Sequence, residues 1–206
     1  MTHAEENLNQ GEEAETETGS APTKNIYELD KILIEGERIY STASSRIIRD
    51  FDLNVRPVRT AQDMLQFAPG LVIAQHAGGG KAEQIFLRGF DADHGTDVAI
   101  SSDGIPVNMV SHGHGQGYAD LHFTIPELVD SIDVFKGPYF ARHGNFSTAG
   151  SVMYHTKDRI DGNLIKVEGG RFNTQRFTGM FQIPTISERQ NAYFASQYYT
   201  TDGAVE

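Results

Sequence analysis

"IPELVDSIDVFKGPYFARHGNFSTAGSVMYHTK", residues 125–157, is the stretch whose reading decides the fold. Pro126 presets φ and lacks only an N–H that a first turn leaves unpaired, so it opens a single helical turn. A strand follows and runs until Gly137 and Pro138 stop it. After an irregular connection, "GSVMYHTK" reads as another short strand.

Upstream the texture is the same. "TAQDMLQF", residues 60–67, has Thr60 as a helix N-cap with Asp63 three residues on, and Pro69 and Gly70 stop it. "EQIFLRGF" and "TDVAISSDGIPV" read as strands ended by glycine turns. Short helices and short strands with many glycines predict an irregular α+β domain.

Downstream of Lys157 the strands lengthen, over residues 163–169, 172–183 and 191–200. Alternation puts Phe177, Gly179, Phe181 and Ile183 on one face and Arg176, Thr178, Met180 and Gln182 on the other. Aromatics cluster near strand ends, as in "NAYFASQYY". A membrane β-barrel needs strands of about 9–11 residues with this pattern, and a soluble meander has the same periodicity, so both readings stand at this point. Strands this few cannot close, and open edges are not viable in lipid, so the barrel reading implies an incomplete barrel.

Composition narrows the classes. Of the formal charge of −11, more than half comes from the first 22 residues, which hold six Glu and no Lys or Arg. That tail, residues 1–24, has too few apolar side chains to offset the entropy of ordering and is predicted to be disordered. No basic patch argues for nucleic acid as a partner. With no Cys there are no disulfides and no thiolate chemistry. "MTHAEENLNQGEEAETETGS" has neither the basic nor the apolar region of a secretory leader, and no apolar run approaches a membrane helix.

Catalytic motifs are weak throughout. "AGGGKA" lacks the Gly five residues before the Gly-Lys pair and the Ser or Thr after it, so it is not a phosphate loop. "DADHGTD" sets Asp91, Asp93 and Asp97 around Gly95, but the glycine is misplaced for a calcium loop and the twelfth residue is Ser102. "SHGHGQGYADLHF" is the richest stretch, with His112 and His114 flanked by glycines. Neutral imidazole suits zinc or copper, and His94 or His122 would supply a third ligand. The plainer reading is that these imidazoles hydrogen-bond within the domain.

"MLQFAPGLVI", "IFLRGF", "VAISSDGIPVN" and residues 125–157 stand in an order and spacing that resembles the plug domain of TonB-dependent outer-membrane receptors. The resemblance covers roughly residues 60–157, and the strands after it are similar to the first strands of those receptors' barrels. Its scaffold turns are Pro69, Gly70, Arg88, Gly89, Asp103, Gly104, Gly137, Pro138, Gly144 and Gly150. His143 stands where the family usually has Tyr before this glycine, and Ala149 where it has Gly.

The resemblance implies a plug with a small mixed sheet and short helices (residues 41–158), followed by antiparallel barrel strands (residues 159–206). It implies an outer-membrane location with the N-terminus facing the periplasm and lipid around the barrel. Residues 25–40 would carry a TonB box at Asp30, Lys31, Ile32, Leu33, Ile34 and Glu35, an extended segment that adds to a sheet edge of the energising protein TonB. The same segment also reads as an edge strand of the following domain. The implied activity is uptake of a scarce extracellular small molecule, a siderophore, haem, metal ion, cobalamin or saccharide, with no catalytic residue and with zinc or copper as the only metals the histidines suggest. The rival is a soluble α+β metal-binding module or enzyme using Asp91, Asp93 and the histidines.

Overall fold

The strand that follows Pro126 is the spine of the larger sheet. The computed structural model describes residues 44–49, 52–53, 55–75, 80–92, 95–184 and 190–203. The acidic tail, the TonB-box candidate at residues 30–35, Asp93 and His94 lie outside the described residues. The strands are β1 Ser44–Arg49, β2 Leu71–Ala74, β3 Gln84–Leu87, β4 Phe90–Ala92, β5 Val98–Ser102, β6 Ile105–Pro106, β7 Val129–Lys136, β8 Gly150–Thr156, β9 Leu164–Gly169, β10 Gln175–Gln182 and β11 Tyr193–Thr200.

They form three sheets, ordered β1-β7-β8-β5-β6, β2-β3-β4 and β11-β10-β9. The first is mixed, because β5 pairs parallel with β8 while its other pairings are antiparallel. Residues 126–128 form the expected single helical turn, a 3-10 turn, before β7. A register shift between Val129 and Ser131 lets both Val129 and Ile132 be buried despite their odd spacing. The core joins Ile132, Val134, Val152 and Tyr154 to Leu65, Ile85, Leu87 and Leu121. Fully buried Tyr154 satisfies its hydroxyl by donating to the Ala61 carbonyl at 3.0 Å.

The helix expected at residues 60–67 is a 3-10 helix over Gln62–Phe67. Its start is fixed by reciprocal bonds: the Asp63 carboxylate accepts from the Thr60 N–H at 3.1 Å and the Thr60 hydroxyl accepts from the Asp63 N–H at 3.3 Å. In "EQIFLRGF" the strand ends at the expected turn: Arg88 and Gly89 both take positive φ (51° and 87°) between the paired Leu87 and Phe90, which makes the stretch a hairpin. Asp103 and Gly104 repeat this at φ 48° and 81° between β5 and β6, the two-residue turn whose twist matches paired strands. The Asp103 carboxylate also accepts from the Thr156 N–H at 2.8 Å and hydroxyl at 2.7 Å, which ties that turn to the end of β8.

Gly150 is required by close approach. A Cβ there would meet the Phe135 carbonyl oxygen and sit 2.9 Å from Leu87 Cδ2, so only glycine lets β7 and β8 pack on the small sheet. Of the other scaffold turns, Pro69 and Gly70 close the 3-10 helix, Gly137 donates its N–H to the Ala149 carbonyl at 2.7 Å ahead of Pro138, and Gly144 ends a short helical turn at Ala141–His143. The His143 ring lies 5.2 Å from Phe135 and 5.4 Å from Phe140, so it fills an aromatic place.

The third sheet is a meander, and β10 begins at Gln175, three residues later than the alternation suggests, because Phe172 and Asn173 take positive φ in the turn. Its faces are those expected: Arg176, Thr178 and Met180 are buried, whereas Phe177 and Phe181 are exposed. Among the described residues no helix is long and apolar enough to cross a membrane.

Candidate functional site: a histidine loop and an ionic contact

Asn108 anchors the histidine loop. Its side-chain oxygen accepts from the Ile100 N–H at 2.6 Å, and its amide donates to the carbonyls of Gly95 at 2.6 Å and Val98 at 2.9 Å. The Met109 N–H reaches the Tyr118 carbonyl at 2.8 Å, which closes the loop's neck. The Tyr118 hydroxyl accepts from the Ala82 N–H at 2.8 Å and fastens the neck to the small sheet's lead-in. These bonds hold the loop beside the start of β5, whereas the Asp103 turn lies at that strand's other end.

Within the loop, the His112 ring stacks on Tyr118 at 4.1 Å and 10°, and His114 meets the same ring edge-on at 5.8 Å. The His114 N–H donates to His112 Nδ1 at 3.1 Å. This bond uses the Nδ1 lone pair of His112. His122 is held through Nδ1 by the Asp120 carboxylate at 2.6 Å. That hydrogen bond, against partial burial, raises the His122 pKa; for Asp120, burial acts upward, but the two bonds from His122 outweigh it and hold the carboxyl below its usual range.

Among the described residues no three His, Asp or Glu side chains are grouped as metal ligands. Asp91 is bonded to Gln84 at 2.7 Å on the β3–β4 hairpin, and His94 lies outside the described residues. The structure thus brings His112 and His114 together around Tyr118 and leaves His122 on its own carboxylate.

A second site went unmarked in the sequence reading. Arg176 of β10, its side chain 4% exposed, forks onto Glu127 at 2.8 and 2.5 Å. It also donates to Glu168 at 2.6 Å and to the Gln197 side-chain oxygen at 2.9 and 2.6 Å. Lys166 adds contacts to Glu127 at 3.0 Å and Glu168 at 3.1 Å. Glu127 belongs to the helical turn before β7, so this network joins the mixed-sheet domain to the long strands. Burial by itself would raise the Glu127 pKa; hydrogen bonds from Arg176 and then Lys166 override it and hold the carboxyl below the usual glutamate range. The signal available in the sequence was a lone Arg on the face of β10 opposite its phenylalanines.

The fold belongs to a known class. The family described as TonB-dependent Receptor Plug Domain matches residues 38–151, more than half of the chain. The chain belongs to that family of outer-membrane receptors, in which the plug sits within the barrel. The vitamin B12 transporter BtuB of Vibrio vulnificus (strain CMCP6) is 23% identical over 130 residues, 62% of this chain and 20% of that protein. The pyoverdine outer membrane receptor FpvA from Pseudomonas aeruginosa PAO1 superposes with a TM-score of 0.60 at 15% identity, over 77% of this chain and 22% of that one. The siderophore receptor PirA from Acinetobacter baumannii gives 0.56 at 22% identity, over 76% and 24%. The chain spans about a fifth to a quarter of these relatives, and the structural likenesses are likenesses of fold.

Proposed function

We propose that this chain is the plug and opening barrel strands of a receptor that binds a scarce extracellular small molecule and admits it to the periplasm with energy delivered through TonB. The observation that carries this reading is the Arg176–Glu127 fork, which fastens a plug fold to strands whose apolar side chains face outward. Cobalamin and siderophores head the ligand classes, since relatives of both kinds share the plug; saccharides and metal ions remain in the same reading. No bond in the ligand is made or broken. Ile32 and Ile34 would anchor the TonB box on a sheet edge. The rival soluble module or enzyme is not favoured, because the chain's family is one of receptors and, among the described residues, Asp91 and the histidines do not form one cluster.

The test uses the complete receptor. Ile32→Pro should abolish energised uptake while leaving ligand binding at the cell surface nearly unchanged, because proline removes a strand donor. Equal loss of binding and uptake would place residues 30–35 in the plug fold instead.

A further inference from the structure

The connection from β7 to β8, residues 137–149, folds back over one end of the mixed sheet. Across that end Ser45, Phe135, Ser151 and Ala99 stand in register, on the face opposite the one that buries Val134 and Val152. None of the four carries a charge. The helical turn Ala141–His143 covers this row, which is why Phe135 and Ser151, although on an outward face, are only 8% and 2% exposed.

His143 holds the turn down through both ring nitrogens. The Arg142 Nε–H can only donate and reaches His143 Nε2 at 3.1 Å, so the single proton of the neutral ring is on Nδ1 and is given to the Ser151 hydroxyl oxygen at 2.5 Å. The ring also packs 5.2 Å from Phe135 and 5.4 Å from Phe140, and the Arg142 guanidinium lies 5.2 Å over Phe140. A second proton, on Nε2, would set a donor against a donor and a cation against a cation. The other charged groups nearby are turned to other partners: Lys136, on the opposite face of β7, donates to the Pro69 carbonyl, and Asp133, one row along the same face, is held by His155 at 3.2 Å. Burial, then Arg142, accordingly keeps the His143 pKa below the ordinary imidazole value of about 6.5.

The same segment supports the histidine loop. The Ser147 hydroxyl donates to the Gly144 carbonyl at 2.7 Å and keeps the chain closed after the turn. Between them, the Phe146 ring lies so near Gly117 that a Cβ there would come within 2.9 Å of Phe146 Cε1. Gly117 precedes Tyr118, the ring on which His112 stacks.

We propose that residues 141–146 form a proton-released strut for the histidine loop: neutral His143 clamps the strut to β7 and β8, and a second proton on its ring frees the strut and loosens the loop through Phe146 and Gly117. The mechanism rests on these contacts; its role, a histidine loop that loosens as the outside medium acidifies, rests on the receptor reading. Because the clamped ring binds its second proton less tightly than a released one, the clamp is fully present above about pH 6.5 and is lost as pH falls from there through the depressed value.

The experiment is hydrogen exchange on the complete receptor in detergent, from about pH 7.5 down to about pH 5.5, corrected for the intrinsic pH dependence of amide exchange. Protection over residues 141–149 and 109–118 should fall together by about threefold to tenfold, one proton giving at most about tenfold per pH unit, while Val134 and Val152 stay unchanged. His143→Gln keeps an acceptor for Arg142 and a donor for Ser151 but cannot take the proton. In that receptor residues 141–149 should keep their protection and residues 109–118 should lose less than in the parent; the loop's own histidines are unchanged, so the difference belongs to His143. Arg142→Met removes the opposing charge and should move the fall to higher pH. Constant protection over residues 141–149 in the parent would overturn the proposal, as would a His143→Gln receptor that loosens as much as the parent or an Arg142→Met receptor whose fall does not move. Loosening of residues 141–149 with residues 109–118 unaffected would overturn the link through Phe146. Uptake by the Ile32→Pro receptor is read separately, so failure of the strut and failure of the uptake reading are told apart.

Discussion

In the mixed sheet Val134, Val152 and Tyr154 are fully buried, whereas on β10 the buried row is Arg176, Thr178 and Met180 and the row of Phe177 and Phe181 faces out. Both rows obey the same two-residue period. The difference is the solvent each sheet is built for. The plug hides apolar side chains from water, as any soluble domain does. The meander presents Val167, Phe177 and Tyr198 in register across its three strands, the outward band of a barrel wall in lipid, and turns its charges toward the plug. Where the two regimes touch, Glu127 and Arg176 are each largely withdrawn from water, and the fork between them makes that burial tolerable.

The largest break in this comparison comes from Arg176→Ala. It leaves Glu127 with only Lys166 and should cost about 3–5 kcal/mol of stability in the complete receptor, the range for removing one partner of a buried pair. Thermal unfolding in detergent measures it, and a loss no larger than that of an exposed pair such as Arg159–Asp161 would demote the fork to a surface contact. Val167→Lys sharpens the contrast from the lipid side. A lysine there should cost roughly 2–4 kcal/mol if the position sits near the bilayer midplane, whereas Lys166, one residue away and facing in, is already accommodated. Refolding into lipid vesicles at graded denaturant reads this directly, and an unchanged midpoint would mean the outward face does not meet lipid.

The smallest effect is that of pH. The Glu127 carboxyl is held below the ordinary glutamate value of about 4.5, so its folded form binds its proton less tightly than the unfolded chain does. Its contribution is therefore fully present above about pH 4.5 and is lost as pH falls from there through the depressed folded value. Glu127→Gln should flatten that part of the stability profile, and a variant profile parallel to that of the parent down to pH 3 would exclude the fork as its source.

Much of this protein was legible because the deciding signals are local. Pro126 opening a turn, the Asp103-Gly104 turn and the alternation in β10 each depend on neighbours a few residues away, and each stands where the residues suggest. The turn that ends "EQIFLRGF" stands at Arg88 and Gly89, as expected, and what the residues left unread is that Phe90 pairs back onto Leu87, because Arg88 ordinarily avoids the positive φ that a two-residue hairpin needs. The contacts of His112 and His114 were not legible from their spacing, because they are made with Tyr118, which the loop brings back beside them. In the fold, Nδ1 of His112 is taken by the His114 N–H and its ring by Tyr118.

By itself the sequence determined the kinds of strand this chain makes, where they turn, and which side of each would be apolar, because periodicity and turn chemistry act over a few residues. Only the tertiary structure decided which polar groups meet. Glu127 and Arg176 are 49 residues apart, Ala82 and Tyr118 36, and Tyr154 and Ala61 93. Such pairs are fixed by how sheets pack and by the need of each buried polar group for a partner, and nothing in the order of residues along the chain encodes a distance across it.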